Sequence, residues 1–232
     1  PEIDTFGLLL PVGISFYTFQ TMSYTIDIYR GKNKPYDDLL AFSCYAAFFP
    51  QLVAGPIVRP EHFRNQVESA LSPNPTQFRL GLTLIAYGLA KKLVIADNVA
   101  IHVNEIFVEG AALDNIGLVW WGAVAFGIQI YCDFSAYTDI AIGSALFFGI
   151  RLPENFDSPY AATSPQDFWR RWHISLSTWL RDYLYIPLGG SRNGPRVMLF
   201  ALMMTMLLGG LWHGASWNFV LWGLLHGLLL IG

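Results

Sequence analysis

Long stretches without a charged residue are the feature that most restricts how this chain can fold. Residues 6–26, 39–58, 116–132 and 140–150 contain no acidic or basic side chain. The longest are sufficient to cross a bilayer core of about 30 Å at a rise of about 1.5 Å per helical residue. Charged residues make up only 13% of the 232, about half the usual share of a soluble domain. The chain is therefore predicted to lie in a membrane and to be all-α.

Prolines predict irregular backbone within the second stretch. Pro50 and Pro56, with Pro60 just beyond, rule out a straight helix through residues 39–58, because proline lacks a backbone donor and clashes with the preceding turn. We predict a helix followed by a re-entrant or membrane-surface turn. Such backbone persists at membrane depth only where protein or a cavity satisfies its polar groups.

The middle of the chain predicts two long helices. Residues 75–107 form a helical pattern that Lys91 and Lys92 interrupt. Residues 116–150 form a second pattern, and it carries Asp133 and Asp139 near its centre.

Residues 164–187 have a different character, because their aromatic residues recur at intervals of three and four. This spacing predicts one amphipathic helix that begins at Ser164-Pro165 and ends at Gly189-Gly190, lying at the interface or lining a wet cavity. Two further spans are predicted at 197–211 and 214–232, joined by residues 209–214.

The chain shows no internal repeat and no low-complexity linker, so residues 1–232 are predicted to form a single membrane domain. It begins without Met and ends within an apolar run, and we expect it to be an internal part of a longer protein. The loop that contains Arg30, Lys32 and Lys34 predicts a cytoplasmic location for that segment. No basic stripe suggests nucleic-acid binding.

His213 is the strongest candidate for catalysis. It stands between two predicted spans, beside Trp212 and Gly214, with Ser216 and Asn218 close by. The alternative is an interfacial histidine that caps a helix. Imidazole suits a general base in a dry site, because its usual pKa of about 6.5 leaves a proton-accepting form near neutrality.

His173 is the second candidate, although interfacial packing explains it equally well. Ser177 follows one turn later and is expected on the same helix face, within reach of a hydrogen bond. A serine-hydrolase interpretation is weak, because no nucleophile-elbow glycine pattern surrounds Ser177.

Asp133 and Asp139 are six residues apart, which places them about 120° from each other around a helix and excludes a shared acid–base pair. Structural pairing with Arg170, Arg171 or Arg181 is the favoured interpretation, because buried charges usually need partners. No histidine has metal-ligand spacing with a carboxylate, so no metal site is predicted.

Four strings together resemble the membrane-bound O-acyltransferase family, in its alginate O-acetyltransferase branch: residues 49–59 (FPQLVAGPIVR), 131–139 (YCDFSAYTD), 168–183 (FWRRWHISLSTWLRDY) and 211–219 (LWHGASWNF). The resemblance covers nearly the whole chain in the family's order. It implies a polytopic helical bundle around a central tunnel in the bacterial inner membrane. It also implies that His213 is the essential histidine and that His173 is a second histidine lining the tunnel.

The resemblance further implies transfer of an acyl group, with acetyl-CoA as the expected donor and no bound cofactor. The expected acceptor is a hydroxyl of an exported polysaccharide, or an extracytoplasmic acetyl-handling partner. Arg170 and Arg171 are expected to attract the donor's phosphates. The further candidates for binding substrate or donor are Ser177, Asn218, Asp133 and Tyr137.

Three alternatives remain open at this stage. Related branches transfer D-alanine to teichoic acid or acetyl groups to peptidoglycan, and they share most of these strings. A transporter would suit broken helices and buried carboxylates. A catalytically silent scaffold that recruits an acetyl-handling partner is the third.

Overall fold

The computed structural model describes residues 13–69, 74–108 and 115–232, and regular structure in these ranges is helical apart from one isolated bridge. The all-α prediction is therefore confirmed for this part of the chain. The α-helices are α1 (Ile14–Tyr29), α2 (Leu39–Ala46), α3 (Pro60–Ser69), α4 (Pro75–Ala90), α5 (Asp97–Phe107), α6 (Ile116–Leu146), α7 (Pro165–Arg171), α8 (Ile174–Leu180), α9 (Pro195–His213) and α10 (Trp217–Ile231). Shorter helical pieces are the 3-10 turns Phe49–Gln51 and Pro159–Ala161, and the π-helices Lys91–Ala96 and Arg181–Tyr185.

The chain divides into two compact units. Of the described residues, unit 1 takes 13–46, 56–60 and 154–232, and unit 2 takes 47–55, 61–69, 74–108 and 115–153. Among the described helices, α6 and α9 are long and apolar enough to cross a membrane. The multi-pass arrangement, the tunnel and the single domain stay predictions.

In unit 1, α1 packs against the segment that contains α8 and the second π-helix. Phe19 of α1 joins a buried cluster with Leu176, Trp179, Leu180 and Tyr183. Polar side chains of α1 face the same neighbour: the Trp179 indole Nε1 donates to Ser23 Oγ at 2.7 Å. The cluster therefore combines apolar packing with hydrogen bonds, and it fixes the aromatic segment onto α1.

The predicted helix and turn at 39–58 are present. Helix α2 ends at Ala46, Pro50 lies in the 3-10 turn, and turns followed by irregular backbone lead to Pro60. Within unit 1, the fully buried Tyr45 hydroxyl donates to the carbonyl oxygen of Val58 at 2.9 Å. Protein atoms thus satisfy part of the irregular backbone, as the prolines require.

In unit 2, glycines let α4 and α6 approach each other closely. A Cβ on Gly143 would lie 2.6 Å from the carbonyl oxygen of Gly81, and one on Gly88 would lie 2.7 Å from that of Ala136. Small residues at such crossings are typical of membrane helices, which pack by van der Waals contact. The first π-helix connects α4 to α5 where Lys91 and Lys92 predicted an interruption.

The start of the first apolar stretch, residues 6–12, lies outside the described residues. Within the described residues, several predicted boundaries were wrong. The helix expected to reach residue 150 ends at Leu146, after which the backbone turns through Gly149 at φ 75°. The helix expected over 164–187 is broken at His173 into α7 and α8. Gly209 and Gly210 belong to α9 and not to the connection that follows it.

Replacing Gly143 with Ala should lower the free energy of unfolding by about 1–3 kcal/mol, because the new Cβ would push against the backbone of α4. The measurement is thermal unfolding of the full-length protein in detergent. Val124→Leu also adds carbon to α6, at a position that is 56% exposed, and it should leave the midpoint unchanged. Equal midpoints for wild type and Gly143→Ala would contradict the close approach.

Candidate active site

The break between α7 and α8 places His173 inside unit 1. Trp172 follows the last residue of α7 and has an extended conformation. His173 directly precedes α8 with φ 43° and ψ 56°, a left-handed conformation that is uncommon for a residue other than glycine. The side chain is only 3% exposed. The α7–α8 break therefore turns the chain sharply at a buried histidine, where the sequence pattern suggested a continuous helix.

Aromatic rings connect His173 to the end of α9. The ring of Phe16 lies 6.3 Å from that of His173 and 5.6 Å from that of Trp212, measured between centroids. Burial and, to a smaller extent, the nearby His213 lower the pKa of His173 to about 3. The imidazole is therefore neutral at physiological pH.

His213 is the last residue of α9, and aromatic rings surround it on several sides. Its ring centroid lies 4.9 Å from that of Trp212, 5.9 Å from that of Phe219 and 5.1 Å from that of Trp222. The residue is nevertheless exposed at its open edge. The described residues thus form a wall behind the imidazole but do not enclose it as a dry site.

Glycines on both sides fix the position of His213. A Cβ on Gly214 would lie 2.6 Å from the Phe219 ring, and one on Gly210 would lie 2.3 Å from the carbonyl oxygen of Phe219. Helices α9 and α10 therefore contact each other beside His213 at glycine positions where a larger side chain would not fit. This explains why glycines accompany Trp212 and His213 in the sequence.

A third histidine extends the aromatic wall. The ring centroid of His226 lies 4.5 Å from that of Trp222 and 5.2 Å from that of Trp169. Trp169 in turn contacts Trp222 at 5.7 Å. These contacts give His226 a packing role beside the two tryptophans.

An apolar cavity of about 270 Å³ in unit 1 has Trp169 in its lining. Its polar groups come from Ser177, Arg181, Tyr185 and Thr205. The remaining lining residues are Trp169, Leu180, Leu202, Met206 and Leu230. The cavity has the form of a small-molecule site, because it is mainly apolar with a few polar groups.

The predicted donor-binding residues have different surroundings. Arg170 is exposed. Arg171 forms an ion pair with Asp167 at 2.9 Å, and its hydrogen bond lowers the pKa of that carboxyl group. Arg171 therefore stabilises α7. Arg181 lines the cavity, although the sequence suggested it only as a partner for Asp133 or Asp139. Its position one helical turn after Ser177 was the signal that could have identified it.

Ser177 does not hydrogen-bond the His173 ring as the helical spacing suggested. Its Oγ donates instead to the carbonyl oxygen of Trp172, at 3.2 Å. Ser177 still contributes to the cavity lining. Asn218 is exposed in the first turn of α10, where its backbone nitrogen donates to Ser216 Oγ at 3.3 Å.

Asp133, Tyr137 and Asp139 lie on α6 in unit 2. The predicted pairing of the carboxylates with Arg170, Arg171 or Arg181 was wrong: Asp133 pairs with Lys92 at 2.7 Å, and Asp139 pairs with Lys91 at 2.5 Å. The reason is that the first π-helix directs two consecutive lysines toward α6. Tyr137 is half-buried on the same helix.

The described ranges contain no group of three or more His, Cys, Asp or Glu residues that could hold a metal ion.

The fold and the site define a class of protein: a helical membrane protein with two histidines in one unit that is lined by aromatic rings. The chain belongs to the membrane-bound O-acyltransferase family, whose model matches residues 33–232. It is 48% identical over 227 residues to the probable alginate O-acetylase AlgI of Pseudomonas putida, covering 96% of this chain and 45% of the relative.

Two other relatives have different names. The peptidoglycan O-acetyltransferase of Helicobacter pylori is 41% identical over 255 residues, covering 99% of this chain and 48% of the relative. The teichoic acid D-alanyltransferase of Bacillus subtilis is 28% identical over 242 residues, covering 99% of this chain and 60% of the relative. The chain thus spans about half the length of the curated relatives that it matches.

The neutral state of His173 predicts a pH dependence of stability. Its pKa is lower in the folded protein than in the unfolded chain, so the unfolded chain binds a proton first and stability falls as the pH drops below about 6.5. In His173→Asn, the free energy of unfolding should fall less steeply as the pH drops, by up to about 1.4 kcal/mol per pH unit. Thermal unfolding between pH 7.5 and pH 4.5 measures it, and the exposed His62→Asn is the control. Identical slopes for wild type and His173→Asn would contradict the buried neutral state.

Proposed function

We propose that this chain is the central part of a membrane-embedded O-acyltransferase in which His213 is the general base. The observation that supports it most strongly is the arrangement of His173 and His213 in unit 1, with the Phe16 and Trp212 rings between them. Membership of the acyltransferase family gives this arrangement its chemical context. An aromatic wall with two imidazoles has the groups that proton transfer during acyl transfer requires.

The reaction needs one proton transfer to His213 and one proton transfer from it. His213 accepts the proton of an acceptor hydroxyl while that oxygen attacks the carbonyl carbon of an acyl thioester. The carbon–sulfur bond then breaks, and the departing sulfur takes the proton back from His213. His173 is neutral and buried, so it orients a reactant by hydrogen bonding and does not act as a cation.

We propose that the cavity beside Trp169 receives the thioester arm of the donor, and that the donor is acetyl-CoA. An arm of this kind is flexible, with few polar groups, which suits a lining that is apolar except for Ser177, Thr205 and two other polar residues. Arg181 contributes a guanidinium, and guanidinium groups favour contact with phosphate. Arg170 is exposed on α7 and is the second candidate for the phosphates.

The proposed acceptor is a hydroxyl of an exported cell-surface polysaccharide, reached directly or through an extracytoplasmic acetyl-handling partner. This choice follows the higher identity to the probable alginate O-acetylase, 48%, than to the teichoic acid D-alanyltransferase, 28%. Acetyl transfer to peptidoglycan is the second candidate, with a relative at 41% identity. A multi-pass location in the bacterial inner membrane completes the proposal.

His213→Ala in the full-length protein should lower polysaccharide acetylation by about 10²–10⁴-fold, because the base that takes the hydroxyl proton is lost. The measurement is acetyl content of the surface polysaccharide in a deletion strain complemented at equal membrane protein levels. His102→Ala is the matched control, since His102 is an exposed histidine of unit 2. Full acetylation with His213→Ala would favour the transporter or scaffold instead.

Leu202→Trp should raise KM for acetyl-CoA by about tenfold or more, which corresponds to about 1.4 kcal/mol of lost binding. The indole would occupy part of the cavity that Leu202 lines. Initial rates with the purified full-length protein at varied donor concentrations measure this change. Leu208→Trp places the same side chain at a position of α9 that is 39% exposed and should leave KM unchanged. An unchanged KM in Leu202→Trp would remove the cavity from the donor's path.

A further inference from the structure

His173 occupies a helix start that it does not cap. Most helices begin with a residue in extended conformation whose side-chain oxygen accepts a hydrogen bond from the first turn. His173 instead has φ 43°, and its side chain makes no capping bond. A left-handed conformation is strained for a residue other than glycine and persists only where its surroundings impose it. Other residues must therefore hold this helix start in place.

Asn155 supplies the bonds that the helix start needs. Its backbone oxygen accepts from the nitrogen of Ile174 at 3.0 Å, and its side-chain Oδ1 accepts from the nitrogen of Ser175 at 3.1 Å. These are the first two backbone nitrogens of α8, and they have no acceptor within the helix. Asn155 is completely buried, so water does not replace these bonds.

The residues after Asn155 hold the other side of the break. Phe156 forms an antiparallel bridge with Trp172, and the nitrogen of Asp157 donates to the carbonyl oxygen of Arg171 at 2.9 Å. The segment 155–157 thus runs along the end of α7 and the start of α8, with His173 between the points of attachment. The Ser175 Oγ adds a further anchor by accepting from the nitrogen of Ile57 at 2.9 Å.

We propose that Asn155 is the positioning residue for His173: it caps α8 from another part of the chain, and so allows a histidine to stand at the helix start with its imidazole directed into the site. This inference rests on the proposed acyltransferase function. Asn155 lies outside the strings that indicated the family, and helical spacing gives no sign of it, because its partners lie 19 and 20 positions further along the chain.

The decisive variant is Asn155→Ala in the full-length protein. It should lower kcat by about 10- to 100-fold, since displacing a reactive group by about 1 Å has effects of that size, while KM for acetyl-CoA changes by less than about threefold. Asn155→Asp keeps the acceptor oxygen, and it should retain kcat within about fivefold of wild type.

Asn74→Ala is the matched control for a purely structural effect. Asn74 also accepts a hydrogen bond at a helix start, since its Oδ1 accepts from the nitrogen of Gln77 at 2.8 Å, but it caps α4 in unit 2 and its bond is exposed. This variant should shift the unfolding midpoint and leave kcat per folded molecule unchanged. A loss of kcat in Asn155→Ala that Asn74→Ala does not share would support positioning.

Modification by diethyl pyrocarbonate, mapped by mass spectrometry, gives a readout independent of turnover. His173 is buried and should react slowly in wild type, Asn155→Asp and Asn74→Ala, and faster in Asn155→Ala. Normal kcat and a protected His173 in Asn155→Ala would overturn the inference, and so would equal losses in Asn155→Ala and Asn74→Ala. If Asn155→Ala does not accumulate, loss of kcat in a stably folded Asn155→Asp would overturn it, and retained kcat with a protected His173 would support it.

The two proposals fail in different ways. If Asn155→Ala is fully active and His213→Ala is inactive, only the positioning role of Asn155 is contradicted. Acetylation that persists in His213→Ala removes the proposed base, whatever the Asn155 variants do.

Discussion

The hydrogen bonds between α1 and the segment that follows His173 hold the candidate site together. Trp179 donates to Ser23, and the Tyr183 hydroxyl donates to Asp27 Oδ2 at 2.5 Å. Burial and then the bond to Asp27 raise the pKa of Tyr183 to about 12, so the phenol stays protonated and remains a donor. In a medium without water, an unmade bond of this kind costs several kcal/mol. These contacts therefore fix α8 and the second π-helix against α1.

The position of Arg181 at the cavity depends on the same contacts. Asp182 pairs with both Arg181 and Arg59, so a single carboxylate faces two guanidinium groups. Burial opposes the charge of Asp182, but the hydrogen bonds from these arginines prevail and lower its pKa below the usual value. One positive charge in the group is left without a carboxylate of its own. Arg59, Arg181 and Asp182 together therefore carry one net positive charge, and Arg181 is the member of the group that lines the cavity.

Much of this architecture could be predicted from the sequence, because apolar stretches, prolines and caps act locally. Ser164 caps α7 through a bond to the nitrogen of Asp167, and the chain leaves α2 before Pro50, as their positions implied. The partners of Asp133 and Asp139 could not be predicted, because a π-helix changes which side chains share a face. The break at His173 was equally hidden, since Asn155 acts from a distant part of the chain.

The two histidines differ in the way that their proposed roles require. His173 is enclosed and held by backbone bonds at a strained helix start, so it cannot easily move or take up a proton. His213 is the last residue of α9, is exposed among the residues of this chain, and packs against three aromatic rings. A general base must gain and lose a proton in every cycle, whereas an orienting group works best when its protonation never changes. The proposal therefore gives the orienting role to the enclosed imidazole of His173 and the role of base to His213.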